Sequence, residues 1–146
     1  FWPDKIETCE DEVVLTWLEN HLCMIPMDPR RHGCSVVDGM DITKTKVETL
    51  TKAADDCWEA IMNTDLELFA KAYKDSFNAQ VAMFPAMIQG CVQNYIDKYS
   101  AIDDILAWKM PGAGGGGYLA CVVKDTESFC KNHPEAIKLK IRRSGF

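Results

Sequence analysis

The segment with the most chemical promise is Trp108-Lys109-Met110-Pro111-Gly112-Ala113-Gly114-Gly115-Gly116-Gly117-Tyr118, where five of the chain's nine glycines fall within six positions. Ordering a glycine costs more backbone entropy than ordering any other residue, so such a cluster inside a folded chain calls for a reason. It opens backbone angles closed to other residues and lets the main chain approach a neighbouring surface. Successive N–H groups in such a loop also form a concave anion site. A flexible hairpin linker is the plain alternative. Tight hairpins, however, need only one or two glycines, and free linkers are richer in serine or asparagine. No Gly-Lys-Ser/Thr follows, so this is not a Walker A loop, and the spacing and long following helix of a dinucleotide fingerprint are missing too. The chemistry indicated is phosphate or substrate binding by the backbone of Gly112, Ala113, Gly114, Gly115, Gly116 and Gly117.

Arg30 and Arg31, in the turn-rich segment Asp28-Pro29-Arg30-Arg31-His32-Gly33, are weaker candidates for the same ligand. Arginine suits bidentate contact with phosphate or carboxylate, although on such a loop ordinary surface charge is the plainer reading. Trp108 and Tyr118 flank the glycines, where strand-end packing is expected of both. The seven cysteines at 9, 23, 34, 57, 91, 121 and 130 include no Cys-x-x-Cys pair, and the three histidines are scattered. No metal site is expected from them, and reduced thiols in a cytoplasmic protein account for the cysteines.

Twenty-two acidic residues against sixteen basic ones give a net charge of −6, without the basic face a nucleic-acid partner needs. No apolar run reaches membrane-spanning length, and the N-terminus is not that of a signal peptide. A soluble, cytoplasmic protein with no membrane partner is expected. The aromatic-rich helices also allow a homodimer.

These residues need elements to position them. With 47% hydrophobic residues, the 146-residue chain has material for one domain spanning 1–146. A short strand is expected at 4–9, a helix carrying Val13 to Leu22, and a buried strand at 22–27, with a further extended piece from Cys34 to Val37. Thr43 should cap a helix that runs through Val47, Leu50, Ala54, Cys57, Trp58 and Ile61 to about Asn63. Thr64 and Glu67 read as a capping box for the next helix, with Leu66, Phe69, Ala70, Tyr73 and Phe77 on one side. A third helical stripe joins Phe84, Ile88, Cys91, Tyr95 and Tyr99, with Pro85 at its first turn or at a kink. Met62, Met83 and Met87 should pack in the core. Strands follow at Ile105–Met110 and Tyr118–Lys124, then a short helix at Asp125–His133. The alternation of Ile137, Leu139 and Ile141 with basic residues predicts a half-buried last strand. The fold class is α+β, with helices packed on one face of a mainly antiparallel sheet.

Set between two strands, the run Gly112-Ala113-Gly114-Gly115-Gly116-Gly117 resembles the third conserved motif of the GHMP kinases (galactokinase, homoserine kinase, mevalonate kinase and phosphomevalonate kinase). The helix that carries a proline, Gln80 to Pro85, and the strand and loop of Leu22 to Ser35 are similar to that family's C-terminal domain as well. The resemblance runs from about residue 20 to the end and is closest in style to fucose- and heptose-type sugar kinases. It implies a ferredoxin-like C-terminal domain of a two-domain kinase, with the glycine loop helping to hold a sugar and the phosphates of ATP. Two departures stand out. Pro111 occupies a position often held by serine or threonine in the family, so a hydroxyl contact is lost and the loop must act through amides. No counterpart of the family's N-terminal phosphate loop or catalytic acid or lysine is present, so the resemblance implies no catalytic residue in this chain. An N-terminal kinase domain would be its partner and would supply the sites for ATP and Mg²⁺. The alternative expectation is a stand-alone ligand-binding or regulatory module without catalytic activity.

Overall fold

A computed structural model of the protein describes residues 5–30, 35 and 37–143. Its helices start where short polar side chains satisfy amides that have no intrahelical acceptor. Asp11 accepts from Val13 and Val14 at the head of α1 (Glu12–His21), and Thr43 from Lys46 at α2 (Lys44–Met62), as expected of Thr43. At α3 (Leu66–Met83) the cap is Asp65, which accepts from the Leu68 amide, rather than Thr64. Thr64 instead makes the reversal between α2 and α3 with a left-handed φ of 51°. Pro85 opens a separate 3-10 turn, Pro85–Ile88, ahead of α4 (Val92–Ser100), so the expected third helix is two pieces. Asp125 caps α5 (Thr126–Asn132).

Four strands form one antiparallel sheet: β1 (Leu22–Pro26), β2 (Ile105–Lys109), β3 (Tyr118–Val123) and β4 (Ile137–Lys138), in the order β2-β3-β1-β4. From β1 onward the chain runs strand, helices, strand, strand, helix, strand, the ferredoxin-like plan. The molecule is α+β, as the sequence predicts. β3 is buried at five consecutive positions, Leu119 to Val123. Leu119, Cys121 and Val123 join a core with Phe77, Tyr99 and Phe129, whereas Val122 joins Ala60, Phe69 and Ala107 in a second core. The central strand is therefore covered on both sides.

Other local expectations are corrected. Residues 5–10 form no strand, and Cys34 and Val36 lie outside the described residues. Met83 and Met87 are core residues, but Met62 at the end of α2 is 40% exposed. β4 is only two residues long and Ile137 is exposed, because the chain beyond it is drawn onto α1 instead. There Glu19 accepts from Lys140 Nζ and the Ile141 amide, each at 2.7 Å, and from Arg143. Among the described residues no helix is long and apolar enough to cross a membrane.

This clasp gives the fold an acid-sensitive joint. Burial pushes the Glu19 carboxyl up, but the bonds from Lys140, the Ile141 amide and Arg143 outweigh it and bring the pKa down to about 2. The unfolded value is about 4.3. A folded pKa below the unfolded one adds stability that is complete above pH ~4.3 and is lost as the pH falls toward 2. Glu19→Gln should flatten this acid limb when urea midpoints are compared at pH 7, 4 and 2.5. A pH dependence identical to that of the parent chain would rule the clasp out as its source.

Candidate functional site

The glycine run joins β2 to β3, and other parts of the chain hold it in place. At its far end it extends the β1–β3 ladder beyond Pro26↔Tyr118: Met27 N–H donates to Gly117 O at 2.8 Å, and Gly117 N–H donates to Asp28 O at 3.0 Å. In the middle, Gly115 N–H donates to Met87 O at 2.9 Å, pinning the loop to the 3-10 turn. All five glycines have positive φ, from 70° to 146°.

Two of them are also required by close packing. A Cβ on Gly114 would lie 2.8 Å from Met87 Cβ, and one on Gly116 would lie 2.6 Å from Asp28 O and 2.7 Å from Arg30 N. Distances below 3.0 Å leave no room for a methyl group. Part of the reason for so many glycines is thus the close seating of this loop on Met87 and on the segment after β1.

The same seating brings two sequence candidates together. A depression of about 330 Å³ is lined by Pro29, Arg30, Pro111, Ala113, Gly114, Gly116 and Gly117. Arg30 therefore borders the glycine loop, while Arg31 lies outside the described residues. Gly115 and Gly117 spend their amides internally; those of Gly112, Ala113, Gly114 and Gly116 meet no protein acceptor among the described residues. Unused amides beside an arginine suit an anion such as phosphate. Among the described residues the lining holds no carboxylate, the ligand a Mg²⁺ ion prefers.

A residue that sequence reasoning did not single out stands across Ala113. Gln80 of α3 has a buried amide oxygen with no hydrogen-bond partner among the described residues. It borders a cavity of about 230 Å³ shared with Val37, Phe84, Met87, Gly112 and Ala113. A buried acceptor without a donor costs about 1–3 kcal/mol, so its retention in a residue that borders a cavity calls for a reason. Its sequence signal is only a glutamine near the end of an amphipathic helix, which is not diagnostic.

The flanking aromatics differ from each other. Trp108 packs partly against the main core with the Lys74 ammonium 4.8 Å from its ring, whereas Tyr118 is 46% exposed rather than packed. The six described cysteines are all free. Burial pushes the Cys23 thiol up to about 12 and the Cys121 thiol higher still, which makes them packing groups rather than nucleophiles. Compared with known proteins, the chain matches no family model and no curated sequence.

Proposed function

We propose that this chain is the C-terminal domain of an ATP-dependent small-molecule kinase of the GHMP type, acting on a sugar in the manner of galactokinase-like, fucose or heptose kinases. One juxtaposition carries the reading. Unused loop amides and Arg30 offer donors to a phosphoryl group on one side of Ala113, and the unpartnered Gln80 oxygen offers an acceptor to a hydroxyl on the other. Phosphoryl transfer depends chiefly on positioning and on stabilising charge, and a donor-lined wall serves both. ATP, when bound, supplies the phosphoryl group; this chain's part is to hold the anion and orient the hydroxyl. The base, the metal ligands and most of the nucleotide site belong to the N-terminal domain in this reading. Such a kinase works in the cytoplasm, where ATP is held and free thiols persist.

The test is ADP release by the complete two-domain protein with MgATP and a panel of sugars, run beside the 146-residue chain. Sugar-dependent release by the complete protein alone is expected. Ala113 is the position to alter, because it is exposed and not a glycine. Ala113→Asp places a carboxylate at the mouth of the depression, where repulsion of about 1 kcal/mol should lower kcat/KM roughly fivefold at unchanged Tm. No ADP release with any sugar would instead favour a binding module without catalysis.

A further inference from the structure

Pro111 also borders a second, larger cleft whose chemistry differs from that of the glycine loop. It opens between α2, α3 and the edge strand β2 and has a volume of about 440 Å³. Leu22, Trp58, Ile61 and Phe69 give it apolar and aromatic walls. Among the described residues that line it, Lys109 is the one cation. Its ammonium donates to Ser76 Oγ at 2.7 Å and makes no ion pair among the described residues.

The two carboxylates that act on the neighbouring Cys57 are already committed. Asp56 is held by Lys52 and Asp75 by Lys71, each at 2.7 Å. Burial pushes the Cys57 thiol up to about 11, so it stays protonated near neutrality and supplies no counter-charge. Burial also draws the Lys109 pKa below that of an ordinary lysine, as befits an ammonium without a counter-ion. An ammonium has three donors, and Ser76 accepts one of them. The Ser76 hydroxyl, having accepted, still has its own proton to give. Lys109 and Ser76 thus present unused donors into a largely apolar cleft whose lining also includes Tyr73 and Cys57.

We propose that this cleft is a second ligand site, separate from the glycine loop, for a small apolar carboxylate. The carboxylate would sit on Lys109 Nζ and Ser76 Oγ, with its aliphatic or aromatic body against Trp58, Ile61 and Phe69. A phosphate dianion would want more donors than these two groups, and a sugar would leave its hydroxyls facing hydrocarbon walls. A neutral apolar molecule would leave the ammonium uncompensated. The volume lies within the range of small-molecule sites. The inference does not depend on the kinase reading, since its test uses no turnover.

The experiment titrates the 146-residue chain with octanoate and, separately, with 1-octanol, following tryptophan fluorescence and calorimetry. Octanoate should bind at least about tenfold more tightly than octanol, in keeping with charge-assisted hydrogen bonds. Lys109→Met, which keeps the stem and removes the charge, should erase that difference. A measurement on the unaltered chain guards against a variant that fails to fold. In lysine NMR, octanoate should move the Lys109 Cε–H resonance and leave those of Lys52 and Lys71 in place. No octanoate binding, equal binding by the parent and Lys109→Met, or a Lys109 resonance that stays put would each overturn the proposal. So would a cleft filled by another segment of a longer chain, seen as octanoate binding that vanishes in the complete protein.

Discussion

Gly116→Ala should lower the stability of the chain by about 3 kcal/mol, a fall of roughly 10 °C in Tm for a protein of this size. The added methyl group would meet Asp28 O at 2.6 Å, Arg30 N at 2.7 Å and Arg30 Cα at 3.0 Å. These are backbone atoms, so no rotamer change relieves the clash. The residue also sits at φ 146°, a region that L side chains rarely adopt. Relief requires the segment after β1 to lift away, which breaks the paired bonds between Gly117 and Met27 and Asp28. That movement would also take Arg30 from the rim of the depression, so anion binding should weaken along with stability. Ala113→Ser is the control, because this neighbouring residue is exposed and should change stability by no more than about 0.5 kcal/mol. Thermal and urea unfolding of the two variants side by side is the measurement. A Gly116→Ala chain as stable as the control would mean that Met27–Arg30 does not lie against the loop.

The clash also shows what the sequence could and could not convey. Local signals were legible where a single side chain decides the outcome: Thr43 caps α2, and β3 is as buried as its run of apolar residues suggests. At Thr64-Asp65 two adjacent capping residues competed. The winner depended on Thr64 being needed for the tight reversal from α2 into α3, which residue preferences alone do not reveal. The alternation at 137–141 carried a strand signal, but five hydrogen bonds to Glu19 and Glu12 on α1 took the chain out of the sheet after Lys138. The glycine loop was recognisable as unusual, and its meeting with Arg30 could be guessed only in outline. The contacts of Gly114 with Met87 and of Gly116 with Asp28 join residues far apart in sequence, and no local pattern encodes them. Gln80 was illegible for the same reason, since its oxygen is distinctive only because folding leaves it buried without a partner.

That oxygen gives the second large prediction, in which stability and activity should move in opposite directions. Leucine is close to glutamine in size and removes the unpartnered acceptor. Gln80→Leu should therefore leave the chain as stable as before or more stable, by up to about 1 kcal/mol. If the oxygen accepts a substrate hydroxyl beside the glycine loop, the same change should cut kcat/KM for the sugar by about 10- to 100-fold in the complete protein, because a bound hydroxyl is left without its acceptor. A glutamine that serves only packing cannot produce this pair of results. Removing it would lower stability and activity together, or leave both unaltered. Urea unfolding of the chain and ADP release by the complete protein separate the cases. Turnover that persists in a stabilised Gln80→Leu protein would free Gln80 from any part in holding substrate, leaving that role, among the described residues, to the amides and Arg30.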